Sequence, residues 1–443
     1  MAAAPAASPT APRARATETA SSFEYNLLLT ATLCLLAAGT VMVYSASSAP
    51  SLLQGGSGTG TLVKFVAYGI IGLVAMRLFA RRGLELARRI TGPLLVTSFV
   101  LVVAVHIPHV GREVNGARRW IGGGPLEFQP SELMKLALVL YCCELLARRP
   151  QRVRSLGELA RPLLLVVGAA IAIVASQPDL GTAMVIAFTV SALLIAVGMP
   201  LRLLAILIGA AAGVLVLYAL VQPYSRARLT SFIDPWSHAG TTGFQAVQGQ
   251  IAIGSGGLFG RGPGQSVQKV FYLPEASTDF ILAVIGEELG VVGVLGLLSL
   301  YGLIALAGLR AAKRARSLYS ALIAVGVTSL IVSQAILNVF AVLGLGPLTG
   351  VPLPFVSYGS SNLIVMLAAM GMLLNVAAGG NAHVRAVPQR RRERPTGTSR
   401  AEPAGLGDGP RPGSTTADED RDRRRRDRGA RRASARRGGG APG

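Results

Sequence analysis

Phe271-Tyr272-Leu273-Pro274-Glu275-Ala276-Ser277-Thr278-Asp279-Phe280 closes the one long polar, glycine-rich interruption, residues 223–279, in a chain otherwise made of apolar segments. Asp279 stands at the foot of a new apolar run that begins at Phe280. A carboxylate at the mouth of a membrane helix is expensive to keep there, and it marks a functional site by default. The competing reading is helix capping, with Thr278 or Asp279 satisfying free backbone N–H groups. Capping accounts for an acid at this place but not for the arginines and lysines around it.

Outward from this stretch, the chain is apolar: 51% of its 443 residues are hydrophobic and only 15% are charged. Runs near the roughly 20 residues needed to cross a hydrocarbon core recur along it. They fall at about Tyr25–Ser45, Thr61–Leu78, Thr91–Ile107, Ser131–Leu146, Pro162–Ser176, Leu180–Val197, Leu201–Val221, Phe280–Leu309, Leu318–Leu343 and Asn362–Ala378. The expected fold is an all-α polytopic membrane protein of about ten transmembrane helices, with the large extracytoplasmic loop 223–279 between helices seven and eight. Residues 1–22 read as a disordered cytoplasmic lead-in and 23–380 as the membrane domain. Residues 381–443 read as a disordered basic cytoplasmic tail, where Arg clusters alternate with Asp418-Glu419-Asp420.

The formal charge of +21 is carried by short loops and the tail, which fits membrane topology rather than nucleic-acid binding. With basic segments 77–89, 148–161 and 310–316 in the cytoplasm, both termini lie there too, and segments 109–130, 223–279 and 344–361 lie outside. Two outer segments still carry cations: Arg112, Arg118 and Arg119 in one, Arg226, Arg228, Arg261 and Lys269 in the other. Such exceptions suit an anionic substrate; the plainer alternative is pairing with lipid headgroups. Pro130 and Glu132 suit the start of a helix, and Lys135 follows at i,i+3 from Glu132, so the two form either a structural ion pair or an anion site. Glu287 and Glu288 lie inside an apolar segment and imply an internal partner or a cavity, with Lys135 one candidate partner. The glycine-rich run Ile253–Gly264 lacks the Gly-Lys-Ser/Thr of a phosphate loop and reads as flexible, close-packing backbone. Cys34, Cys142 and Cys143, and the pair His106 and His109, form no metal-ligand pattern.

These residues resemble the SEDS family of bacterial cell-wall proteins. The matches are Met42-Val-Tyr-Ser-Ala-Ser47, Asn115-Gly-Ala-Arg-Arg-Trp120, Phe128-Gln-Pro-Ser-Glu-Leu-Met-Lys135, Gln177-Pro-Asp-Leu-Gly-Thr182, Tyr272–Phe280, Gly286-Glu-Glu-Leu-Gly290 and Thr349–Gly359. They run from the first helix to the last in the family's order and are closer to its division branch than to its elongation branch. Ser360 departs from the pattern, which more often has a second glycine there.

The resemblance implies a peptidoglycan glycosyltransferase that polymerises lipid II, working with a class B penicillin-binding protein and other division proteins. The family's essential acid falls on Asp279. Arg119 or its neighbour Arg118, Glu132 and Lys135 match positions linked to activity; Asp179, Lys269, Arg261 and Glu275 are further substrate-binding candidates. A lipid pyrophosphate leaving group needs charge stabilisation more than protonation, so a single carboxylate base suffices, unlike the acid–base pair of a glycosidase. Asp279 is expected to take the proton of the acceptor 4-hydroxyl as it attacks the donor C1 with inversion. Arg119, Lys135, Lys269 or Arg261 would hold the departing pyrophosphate. A divalent cation, magnesium or manganese, could share that duty, although no ligand cluster demands one. A lipid II flippase and a non-enzymatic scaffold are the rival readings.

Overall fold

The computed structural model describes residues 11–379 apart from 115–116, 124–126, 152–155 and 271. The tail read from the sequence therefore lies outside the described residues, as does the first part of the lead-in. Helices α1 (Ala11–Leu53) and α2 (Gly60–Ala104) precede a two-stranded ribbon, β1 (Gly111–Val114) and β2 (Ala117–Ile121). Then come α3 (Pro130–Arg148), the single turn α4 (Leu156–Leu159), a π-helical turn (Ala160–Leu164), α5 (Leu165–Ser176), α6 (Leu180–Ala196) and α7 (Leu201–Val221). Two short helices, α8 (Pro223–Ile233) and α9 (Phe244–Gly256), lie within the segment expected to be one loop. The chain continues through α10 (Ile281–Arg314), α11 (Leu318–Val342) and α12 (Ser360–Ala377).

The protein is a mostly helical, multi-pass membrane protein. Among the described residues six helices are long and apolar enough to cross a bilayer: Phe23–Leu53, Gly60–Ala104, Leu201–Val221, Ile281–Arg314, Leu318–Val342 and Ser360–Ala377. Pro162–Ser176 and Leu180–Ala196 are shorter apolar helices.

The core is organised on α12, in which every residue but Ile364 is buried and which packs along α2. A helix enclosed by other helices can carry polar side chains if each finds a partner, and those of α12 do. Ser360 Oγ donates to Glu127 O at 2.9 Å, and Ser361 Oγ accepts from Gln129 N at 2.9 Å. Asn362 Nδ2 reaches Glu132 Oε2 and Gln334 Oε1, both at 2.8 Å.

Two glycines break long helices, and in both places the freed backbone is paired, as a low-dielectric setting demands. Gly83 (φ 75°) interrupts α2 within the arginine-rich segment expected to be a loop; Arg77, Arg81, Arg82, Arg88 and Arg89 lie on helix to either side of it. Arginine is a good helix former, so the turn needs only the one residue able to take positive φ. The carbonyl of Ala80, which Leu84 would otherwise use, accepts instead from Asn375 Nδ2 at 2.8 Å.

Gly290 (φ 67°) breaks α10. The carbonyls of Glu287 and Glu288 accept from Arg261 N and Gly262 N at 2.9 and 3.0 Å, while Val291 N and Val292 N donate to Gly257 O and Leu258 O at 3.0 and 3.1 Å. The Ile253–Gly264 run is thus close-packing backbone: a Cβ on Gly256 or Gly260 would collide with the carbonyl of Gly286 or of Glu288.

Candidate active site

Asp279 precedes α10, and its carboxylate is not engaged by the helix start: the capping position is Phe280, with no side-chain cap. What surrounds the carboxylate is charge. A methyl group built on Gly350 (φ +67°) would meet Arg228 Nη1 at 3.7 Å, Arg119 Nη1 at 3.9 Å and Asp279 Oδ2 at 3.9 Å. One acid and two guanidinium groups therefore surround a single point that only glycine leaves open. The ring of Tyr224 lies beneath both cations, 4.6 Å from Arg228 Cζ and 5.9 Å from Arg119 Cζ, which fixes their planes by cation–π attraction.

Each charged group reaches this point for a local reason. In the ribbon, Arg112 faces Trp120 and Glu113 faces Arg118, which leaves Arg119 opposite no residue. Such an irregularity re-aims a side chain. Arg118 stays on the exposed ribbon, 3.2 Å from Glu113 Oε2, whereas Arg119 turns inward and donates to the carbonyls of Gln177 (3.0 Å) and Pro178. Pro223 at the first turn starts α8, placing Tyr224 and Arg228 one turn apart on one face. Arg228 Nη1 also donates to Leu348 O at 3.2 Å, beside Gly350.

Burial first, then the negative charge of Glu275, push the Asp279 carboxyl up from 3.8 to about 6, with Arg228 the largest opposing influence. Thr278 Oγ1 lies 2.9 Å from Glu275 Oε2 and 3.2 Å from Asp279 Oδ1, so its one proton serves one carboxylate at a time.

The other candidates separate from this point. Lys135 Nζ pairs with Glu132 Oε1 at 2.8 Å, and both side chains are enclosed. Asp179 caps α6 through Thr182 N at 3.2 Å and takes further bonds from Gln129 and Ser131; Arg119 Nη1 approaches it to 3.9 Å. Glu287 accepts from Ser266 Oγ at 2.6 Å and from the N–H groups of Val267 and Gln268. Glu288 pairs with Lys269 at 2.7 Å, so Lys135, offered as a partner for this acid pair, serves Glu132 instead. Arg261 is half-exposed, 3.4 Å from Glu287 Oε1.

Lys269 is buried, and its three donors meet Glu288 Oε1, Ser45 Oγ (2.9 Å) and Gly264 O (2.8 Å). Lys269→Met would leave Glu288 buried without its cation, a loss of about 3–5 kcal/mol. The expected result is a clear fall in the melting temperature of the detergent-purified protein. An unchanged melting temperature with a raised KM would instead give Lys269 to the substrate.

Three residues at or behind the site escaped sequence reading. Arg228 was one arginine among several in an outer loop, and Tyr224 needed the helix start at Pro223 to become its neighbour. Asn338 carries the clearest overlooked signal, an amide one turn after Gln334 near the end of an apolar helix.

A family model described as cell cycle protein, FtsW/RodA/SpoVE, matches residues 25–381. The chain is 40% identical over 350 residues to a probable peptidoglycan glycosyltransferase FtsW of Coxiella burnetii, covering 78% of this chain and 94% of that one. It is 39% identical over 351 residues to stage V sporulation protein E of Bacillus subtilis, covering 79% and 96%. Among solved structures it resembles a chain from a peptidoglycan synthase complex described as coordinating polymerization and crosslinking (TM-score 0.65, 31% identity, covering 79% of this chain and 96% of that one). It also resembles the rod shape determining protein RodA of Thermus thermophilus (TM-score 0.57, 30% identity, covering 79% and 95%).

Proposed function

The chain belongs to the FtsW/RodA/SpoVE family of cell cycle proteins, and from that membership we propose that Asp279 is its catalytic base. The protein is a peptidoglycan glycosyltransferase, polymerising lipid-linked precursor into glycan strands. The observation that carries the reading is the convergence of Asp279 Oδ2 with Arg119 Nη1 and Arg228 Nη1 around Gly350.

The reaction asks for a base and a stabilised leaving group. Asp279 accepts the proton of the acceptor 4-hydroxyl as that oxygen bonds to the donor C1. The C1–O bond to the pyrophosphate breaks on the opposite face, which inverts the centre. Arg228 and Arg119, held in place before substrate arrives, face the negative charge that develops on the departing pyrophosphate. Glu132, paired with Lys135 on α3, ties that helix to α12 through Asn362. Among the described residues no group of three or more His, Cys, Asp or Glu gathers, so a magnesium or manganese ion would enter with the substrate's phosphates rather than in a protein cage.

In this reading Gly83 divides α2 into two crossings, which with α1, α3, α5, α6, α7, α10, α11 and α12 makes ten. The basic middle of α2 around Gly83 and the basic end of α10 then lie in the cytoplasm with both termini, and Asp279 lies at the outer face of the cytoplasmic membrane. The substrate is lipid II, the partner a class B penicillin-binding protein within the division machinery, and the place of action the septum. The resemblance to a complex that couples polymerization to crosslinking supports the partner, and the FtsW relatives support the division role.

Purified protein given labelled lipid II, with its partner present, tests the proposal: glycan strands are expected. Transfer of intact lipid across vesicles without strands would favour a flippase, and neither activity a scaffold. Localisation to the side wall rather than the septum would favour elongation.

The raised Asp279 pKa adds a pH signature. A base works as carboxylate, so the polymerisation rate should climb as pH rises through about 6 and level off above it. Because the folded protein holds this proton more tightly than the unfolded chain, ionising Asp279 also lowers stability as pH rises from 3.8 to about 6. A rate independent of pH from 5 to 8 would set Asp279 aside as the base.

A further inference from the structure

We infer that Asn338 is a positioning residue for the reaction, an amide staple that holds the Asp279 loop against the Gly350 loop; this rests on Asp279 being the base. Asn338 lies four residues from the end of α11 and is 1% exposed. Its Nδ2 donates to Asp279 O at 2.7 Å and to Val351 O at 2.8 Å, so one amide group bonds the backbone of the proposed base and the residue after Gly350.

These two segments are the opposite walls of the site. The first carries the Asp279 carboxylate; the second carries Gly350 and the Leu348 carbonyl that receives Arg228. Among the described residues their backbones also meet where Tyr358 N donates to Ser277 O at 2.9 Å, away from Gly350 in sequence. Asn338 therefore fixes the gap between the backbone of the base and the loop that receives Arg228.

The chemistry of the contact explains why the residue is an amide. Two carbonyl oxygens need two N–H donors from one atom, and only Asn or Gln offers a neutral NH₂ group here. Its Oδ1 is buried and accepts no hydrogen bond among the described residues, so the contacts of Asn338 run through its donor end. An unsatisfied buried acceptor is tolerated where the group has another duty.

The test uses the full-length protein with its partner and lipid II, comparing Asn338→Leu, Asn338→Asp and Asn338→Gln with wild type. Leu keeps the volume and removes both donors; Asp keeps the shape but turns a carboxylate toward two carbonyls; Gln keeps the donors on a longer arm. The expected result is a kcat about 10²-fold lower for Leu and Asp with KM within about twofold, as for a misplaced catalytic group. Gln should recover part of the loss. Amide exchange should accelerate in 272–280 and 344–358 together in the Leu variant.

A wild-type kcat per folded molecule, even with a lowered melting temperature, would reduce Asn338 to a packing residue and overturn the inference. So would a raised KM with kcat unchanged. If Leu and Asp do not fold, Asn338→Ala, which removes both donors without adding bulk or charge, decides in their place: wild-type kcat and wild-type exchange in both segments would refute the staple, and a kcat loss with faster exchange in both would support it. Activity in Asp279→Asn, measured in parallel, marks the separate failure of the base assignment.

Discussion

Asp279→Asn should fold and insert like the native protein yet polymerise lipid II about 10²–10⁴ times more slowly, the usual contribution of one general base. Asparagine has the same shape and can still accept from Thr278, but it has no basic oxygen to take the acceptor proton. KM should hardly move, because the group removed acts on the reacting hydroxyl rather than on ground-state binding. Stability should not fall either. Burial and Glu275 both disfavour the charged form of Asp279, so a neutral side chain relieves two penalties at once. Glu275→Gln provides the control with opposite sign: removing that neighbouring charge should shift the acid limb of the rate below about 6 while leaving the plateau in place. Initial rates of strand formation across pH 4.5–8 check both. Native activity in the Asn variant would end the case for Asp279 as base.

Much of the site could be read from residue types and spacing, and the limits have physical causes. Asp279 stood out because an acid at a membrane boundary is costly, and the Glu132–Lys135 pair because i,i+3 neighbours share a helix face. Arg118 and Arg119 were not separable from sequence, since which one turns inward depends on a strand irregularity that pairs Glu113 with Arg118. The partner of Glu288 was also hidden. Lys135 and Lys269 are equivalent as cations, and only the fold shows that one is already held by Glu132 and the other meets Glu288 and Ser45. Helix continuity failed for the same kind of reason: the basic segment 77–89 reads as a loop by charge, but it needs only Gly83 to turn. Ionic and amide pairings across more than 200 residues, such as Glu132 with Asn362, follow from packing that no local pattern encodes.

The second large effect is expected at Arg228, which the sequence shows only as one of several outer cations. Arg228→Ala should lower kcat about 10²–10³-fold, the range for loss of one preorganised donor to developing negative charge. It should also move the acid limb above about 6, because Arg228 is the strongest influence holding the Asp279 carboxyl down. The two effects share a cause and differ in signature: the first persists on the high-pH plateau, the second appears only where Asp279 titrates. Arg228→Lys separates charge from geometry. Lysine keeps a positive charge near Asp279, so the limb should stay close to its native place. It cannot lay a planar guanidinium on Tyr224, 4.6 Å away, while also donating to Leu348, so the plateau rate should fall partway. Arg119 is the weaker lever, because its donors already serve the carbonyls of Gln177 and Pro178 and part of any loss would be structural. A plateau and a limb both unmoved in Arg228→Ala would show that the cation beside Gly350 takes no part. The charge stabilising the pyrophosphate would then have to come from Arg119, from a metal ion or from the partner protein.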